Sequence, residues 1–129
     1  MEQSSESQSL QAFDLLRQAA KEYNGAEYKF YTHGFFKYVK EGPKTFLIED
    51  IYIDPDFRGT PVSRCIMTNF EDFMRSEGIS FYYGRVFRES KYYKKRLSAF
   101  VKWGMTITNE EPYYTEVSKT IPLVSGSVI

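Results

Sequence analysis

The pattern of apolar residues is clearest over residues 46–53, where a strand pattern passes directly into a helix pattern. Apolar residues occupy most positions on both sides of this segment, so both faces need cover and we expect a central strand. Regular alternation places Leu47, Ile51 and Ile53 on one face and Ile48 and Tyr52 on the other. Residues 54–56, which include a proline, are predicted to end the strand.

A helix is predicted immediately after this strand. Thr60 suits the N-cap, and Pro61 suits the first helical position, where a missing N–H does no harm. The residues at helical spacing are Val62, Cys65, Ile66, Asn69, Phe70 and Phe73, and Gly78 ends the pattern. A strand that enters a glycine-containing turn and a helix start presents free backbone N–H groups at the positive end of the helix dipole. We therefore expect an anion site at this turn.

The patterns on either side complete one α/β domain. They predict a flexible polar tail over residues 1–8, a helix up to Asn24-Gly25, a hairpin over residues 26–39, a strand over residues 79–87, a helix from Ser90 to Gly104 and a closing hairpin over residues 105–123. The first helix is expected to present Leu10, Phe13, Leu16, Arg17 and Ala20 on one face. Because a helix joins the strands at 46–53 and 79–87, we expect these two strands to be parallel, with a right-handed crossover.

Composition bears on function more than on fold. The 129 residues are 42% hydrophobic, which fits a single domain over residues 9–129. They carry no net charge, so there is no overall electrostatic attraction to nucleic acid or to a membrane. Cys65 is the one cysteine, and its place in the helix pattern predicts a buried, inert thiol. His33 has no companions at ligand spacing, so no metal is expected. The polar start and the lack of a long apolar run favour a cytoplasmic protein.

Two segments carry a resemblance to a known family. FLIEDIYIDPDFRG, residues 46–59, resembles the acetyl-CoA-binding motif of the GNAT superfamily of N-acetyltransferases, in which a strand of the form L-x-x-I-x-V-x-P leads into R/Q-x-x-G-x-G/A. Arg58 matches the opening Arg of the motif, and Gly59 matches the Gly that frequently follows it. Pro61 and Ser63 stand where the family has its Gly and its Gly or Ala. FVKWGM, residues 100–105, resembles the family's Y-x-K-x-G-F segment.

The resemblance implies a mixed, mostly antiparallel sheet flanked by helices, with a parallel strand pair at the coenzyme site. It implies acetyl transfer from acetyl-CoA to a primary amine of a small molecule or protein, and the motif wording is closest to diamine acetyltransferases. No metal cofactor is implied. The positions that would bind the coenzyme are Ile51, Ile53, Arg58, Gly59, Val62, Ser63 and Arg64.

The resemblance also indicates candidate catalytic residues. Glu49 is the expected base, acting through water, with Asp50 beside it. Neighbouring strand residues point to opposite faces, so both can reach one site only if a bulge turns the chain. The alternative is that one or both carboxylates merely pair with a basic side chain. Phe100 stands at the position of the tyrosine that serves as the acid in the family. Tyr93, two helical turns earlier, is the candidate acid in its place. The alternative is that Tyr93 only packs in the core.

Three further hypotheses concern the partners of the protein and whether it is an enzyme. Seven basic residues between 85 and 102 could hold the coenzyme's ribose phosphate or nucleic acid, but a solvated helix face is the preferred interpretation, and neither nucleic acid nor a membrane is expected as a partner. A homodimer is possible. Because Pro61, Ser63 and Phe100 depart from the family pattern, a GNAT-fold binding protein without catalysis is kept beside the enzyme hypothesis.

Overall fold

A computed structural model describes the backbone of residues 5–122 and the side chains of residues 11–122. Within these residues, three helices and six strands follow one another. They are α1 (Ser5–Asn24), β1 (Ala26–Tyr31), β2 (Gly34–Glu41), β3 (Thr45–Ile53), α2 (Pro61–Ser76), β4 (Phe81–Phe87), α3 (Tyr93–Trp103), β5 (Thr106–Glu110) and β6 (Tyr114–Thr120). A single 3₁₀ turn, Pro55–Phe57, lies between β3 and α2.

The six strands form one sheet in the order β1-β2-β3-β4-β6-β5. β3 and β4 are parallel, and every other neighbouring pair is antiparallel. The helix α2 makes the crossover between the two parallel strands. The predicted fold class, a mostly antiparallel sheet with one parallel pair and β3 in the interior, is therefore confirmed.

A β-bulge interrupts the pairing of β3 with β2. Asp50 lies opposite Lys37 and Ile48 lies opposite Tyr38, so Glu49 is an extra residue without a partner on β2. Such a bulge bends its strand and changes the direction in which later side chains point. The condition under which both carboxylates could serve one site is therefore met.

The bulge also corrects the predicted faces of β3. Phe46 and Ile48 are buried in the core before the bulge, and Ile51 and Ile53 pack against the same core after it. Leu47, which regular alternation would place with Ile51 and Ile53, lies on the other face. The prediction failed because one inserted residue shifts the two-residue period by one step.

The main core lies between the sheet and the pair α2 and α3. The rings of Phe36 and Phe70 stack there with centroids 3.8 Å apart. α1 packs on the opposite face, where Phe13 meets Phe30 at 5.4 Å. Phe30 and Tyr31 are neighbours on β1, and Tyr31 contacts Phe36, so alternation places Phe30 on the face away from the core.

A buried polar network joins α2, α3, β4 and β6. One carboxylate oxygen of Glu71, Oε2, accepts from Tyr82 Oη at 2.6 Å, Trp103 Nε1 at 3.1 Å and Lys119 Nζ at 2.8 Å. The side chain of Glu71 is 8% exposed and that of Lys119 is 20% exposed. Burial, and then the hydrogen bond to Glu71, raise the pKa of Tyr82 well above its usual range. The phenol of Tyr82 therefore stays protonated and donates to Glu71 at physiological pH.

Two helix starts differ from the sequence-based expectation. α1 begins at Ser5, inside the predicted tail. α3 begins at Tyr93 rather than just after Ser90. Residues 90–92 form a turn in which the Tyr93 amide donates to the Ser90 carbonyl oxygen and the Tyr92 amide donates to the Ser90 hydroxyl.

Two predicted buried residues lie at the surface. Cys65 is exposed, because α2 buries the stripe through Ile66, Phe70 and Met74 and turns Cys65 to its flank. Leu16 is 44% exposed, whereas Ala20, on the same predicted face of α1, is only 6% exposed. In both cases helical spacing correctly predicted the helix but not which side of the helix is buried.

Replacing Glu71 with Gln is expected to lower the free energy of unfolding by about 3 kcal/mol, because Lys119 loses its buried counter-ion. Urea denaturation of the wild type and Glu71→Gln measures this difference. Glu110→Gln is the matched control, since Glu110 is exposed on β5 and should change stability by under about 0.5 kcal/mol. A loss below about 1 kcal/mol for Glu71→Gln would show that the network contributes little to the fold.

Candidate functional site

The parallel strands separate half-way along their length. β3 pairs with β4 only from Thr45 to Ile48, opposite Phe81 to Gly84. Beyond Ile48, within the described part of the chain, no strand pairs with the β4-facing edge of β3. The separation opens a cleft in the middle of the sheet, beginning at the bulge at Glu49.

The cleft has an apolar base and a polar mouth. Its apolar lining is formed by Ile48, Ile51, Val86, Phe100, Met105 and Val117. Its polar lining includes Glu49, Asp50, Arg85 and Arg96. Residues from β3, β4, β6 and α3 thus converge on one opening between the two strands.

The two carboxylates at the mouth have different surroundings. Glu49 is exposed at the bulge. Asp50 is partly buried, lies opposite Lys37 on β2, and has an oxygen 3.9 Å from Arg96 Nη2. That distance is too long for a hydrogen bond, and because both side chains are about half exposed the pair contributes at most about 1 kcal/mol. The structure thus brings both predicted carboxylates to the cleft, with only Asp50 near a cation from α3.

The side chain of Arg58, at the end of the turn that follows β3, fixes this turn. Arg58 Nε donates to the carbonyl oxygen of Ile53 at 2.9 Å, and the guanidinium lies 5.3 Å from the centre of the Tyr52 ring. Gly59 then adopts φ +73°, in the left-handed region that favours glycine. Together these residues direct the chain from the end of β3 into α2.

The start of α2 presents backbone N–H groups without partners. Within the described residues, the amides of Gly59, Val62 and Ser63 donate to no acceptor, whereas the Arg64 amide already donates to the Thr60 oxygen over 3.3 Å. Thr60 occupies the predicted N-cap position, but its hydroxyl donates to the Phe57 oxygen at 2.5 Å and caps no helix amide. The Gly59 turn and the first turn of α2 together therefore keep three donors for a ligand near the positive end of the helix.

The candidate acid lies away from the cleft lining. The Tyr93 hydroxyl is 2.6 Å from Thr115 Oγ1 on β6, and Thr115 is fully buried. Phe100, two turns later on α3, does line the cleft. The two residues share a helix face as predicted, but only the one without a hydroxyl reaches the opening.

Two lining residues were missed by sequence reasoning. Gly84 is buried at the last β3–β4 pair, where an added Cβ would lie 3.4 Å from the Ile48 carbonyl oxygen. A glycine inside the aromatic strand FYYGRVF is a usable signal, because glycine in a strand often marks close approach of another backbone or a ligand. Arg96 had no such signal, since it was one of seven basic residues in its segment.

Basic residues between 85 and 102 lie against aromatic rings. Arg85 lies over Tyr114 at 5.2 Å, while Arg88 donates to the Glu111 oxygen and lies over Tyr93. Within the described residues, no group of three His, Cys, Asp or Glu side chains could hold a metal ion. In the same part of the chain no helix has the length and apolarity of a membrane span.

Comparison with known proteins gives structural neighbours only. No family model matches the sequence, and no curated protein matches it. Among solved structures, PaiA N-acetyltransferase from Thermoplasma acidophilum in complex with coenzyme A has a TM-score of 0.64 at 15% identity, covering 84% of this chain and 70% of that one. A GNAT family acetyltransferase from Elizabethkingia anophelis with acetyl-CoA bound has a TM-score of 0.59 at 12% identity, covering 81% and 82%.

Other neighbours are longer than this chain. Ard1 from Thermoplasma volcanium has a TM-score of 0.58 at 18% identity and covers 70% of this chain, but the chain spans only 64% of Ard1. It spans 58% of nourseothricin acetyltransferase. The strand order, the single parallel pair and these neighbours agree, and the chain has the fold of the GNAT N-acetyltransferases.

Proposed function

We propose that this protein is an acetyl-CoA-dependent N-acetyltransferase that acts on a primary amine of a small molecule or protein. One observation carries the proposal: the bulge at Glu49 and the opening between β3 and β4 lie on the same strand end as the free amides of α2. A long ligand with an anionic middle and a thioester end needs these features in this order.

The residues at the end of β3 and the start of α2 suit the parts of coenzyme A. The free amides of Gly59, Val62 and Ser63 would hold the pyrophosphate, with a weaker contribution from Arg64, whose amide is already engaged. The open edge of β3 at Ile51 and Ile53 offers main-chain groups to the amide-containing arm. When bound, the coenzyme supplies the activated acetyl group. Arg58 would act indirectly, by fixing the turn through its bond to Ile53.

Glu49 is the proposed base. Its carboxylate is exposed at the mouth of the cleft, whereas that of Asp50 faces Lys37 and Arg96. Acetyl transfer requires a neutral amine, so Glu49 would take a proton from the ammonium group, directly or through water. Asp50 adds a second negative charge at the mouth, which favours a cationic acceptor.

The proposed mechanism uses no side-chain acid. Tyr93 already shares its hydroxyl with Thr115, and Phe100 cannot donate a proton. Tyr82 lines the cleft, but it donates to Glu71. The departing thiolate would therefore be protonated by solvent at the open mouth.

A binding protein without catalysis is the second candidate. Arg96 extends from α3 toward Asp50 at the cleft mouth, and Pro61 occupies the first position of α2, where it contributes no N–H. Both features reduce the room or the donors available to a coenzyme. The next two experiments distinguish the candidates.

Glu49→Gln is expected to lower kcat by about a hundredfold at neutral pH, because the amide cannot accept the ammonium proton. Initial rates with acetyl-CoA and a panel of primary amines measure the effect, and calorimetry should show nearly unchanged acetyl-CoA affinity. Glu110→Gln, outside the cleft, serves as the control and should keep the wild-type rate. Equal activity of Glu49→Gln and wild type would remove Glu49 from the mechanism.

Pro61→Gly is expected to tighten acetyl-CoA binding by up to about 1.5–3 kcal/mol, because it adds one N–H donor beside the three free amides. The same change should lower the melting temperature slightly, since proline restricts the unfolded chain and suits the first helical position. Calorimetric titration of both forms, with their melting curves, gives both quantities. If stability falls and the variant gains no affinity, the binding-protein hypothesis is favoured.

A further inference from the structure

β1 is an edge strand whose outer side lacks a strand partner among the described residues. The sheet begins with β1, which pairs with β2 along all six of its residues, Ala26–Tyr31. An unpaired strand edge presents a row of free N–H and C=O groups and is a template for pairing with another strand. Its outer side is therefore available to a further strand.

The sequence of β1 is complementary to itself in antiparallel pairing. With Tyr28 placed opposite Tyr28 of a second copy, Glu27 falls opposite Lys29 of that copy, and Lys29 falls opposite its Glu27. Opposite charges directly across from each other stabilise a strand pair.

The side chains of β1 are available for this pairing. The side chain of Glu27 is 46% exposed and accepts from Lys21 at 2.9 Å, which leaves other acceptor sites on its carboxylate. Lys29 has no carboxylate partner among the described residues; its Nζ lies 4.7 Å from the centre of the Phe73 ring. A second carboxylate near Lys29 would therefore add a contact without breaking an ion pair.

α1 packs on one face of the sheet beside this edge. Phe13 and Arg17 contact Phe30, so they face the sheet. In a continuous sheet made by two β1 strands, both copies of α1 lie on the same face.

We propose that the protein forms a two-fold symmetric dimer through antiparallel pairing of β1 with β1 of a second copy. The self-complementary register identifies a second copy as the occupant, because each contact between Glu27 and Lys29 occurs twice under the same two-fold axis. Such a contact is closed and leaves no further β1 edge free. It is independent of the acetyl-transfer proposal, since no cleft residue takes part.

Charge reversal tests this register directly. Glu27→Lys and Lys29→Glu each place two like charges opposite each other in the dimer, and each alone is expected to weaken dimerisation by about tenfold or more. An equal mixture of the two variants restores both opposite-charge pairs in a heterodimer. Sedimentation equilibrium of each variant alone and of the mixture measures the dissociation constants. Lys40→Glu, an exposed charge reversal on β2, is the matched control.

The expected result is a dimeric wild type, two weakened variants and a mixture that dimerises as tightly as wild type. Circular dichroism melting of each variant establishes that it is folded at the temperature used. A wild type that stays monomeric at submillimolar concentration would overturn the proposal. A dimer that both reversals leave intact, or two weakened variants whose mixture shows no recovery, would also overturn it.

Discussion

The bulge at Glu49 is the constraint on which the rest of the site depends. One extra residue on β3 places Ile51 and Ile53 on the core face together with Ile48, while it presents Glu49 at the opening. Without it, continued alternation would turn Ile51 and Ile53 away from α2. The separation of β3 from β4 begins at this point in the chain. The bulge therefore coincides with both the cleft and the exposed carboxylate of Glu49.

Rigid elements hold this opening on either side. The Glu71 network ties α2 to β4, β6 and α3, so the two helices that flank the cleft share one buried carboxylate. At the other end, Arg58 fastens the turn before α2 and leaves the first amides free. Pro61 shows the compromise at this end, because it suits the helix start and withholds one donor from an anion.

Sequence reasoning predicted the elements and the place of the candidate site because these depend on local signals. The order of strands and helices, the turn at Gly59 and the position of Thr60 follow from periodicity and turn residues. The phase of β3 did not follow, since apolar residues on both faces hide a one-residue insertion. The contact of Arg96 with Asp50 joins residues distant in sequence, which no local pattern encodes.

The central claim is that the start of α2 and the cleft together bind acetyl-CoA, and thermal denaturation with the ligand tests it most directly. At a hundred times the dissociation constant, acetyl-CoA should add about 2.7 kcal/mol of stability, a rise of about 10 °C in Tm. Ser63→Asp is the matched control, because a carboxylate in the first turn suits the helix but repels a pyrophosphate. The account predicts a rise for wild type and none for Ser63→Asp. No rise in wild type, or an equal rise in both, would contradict it.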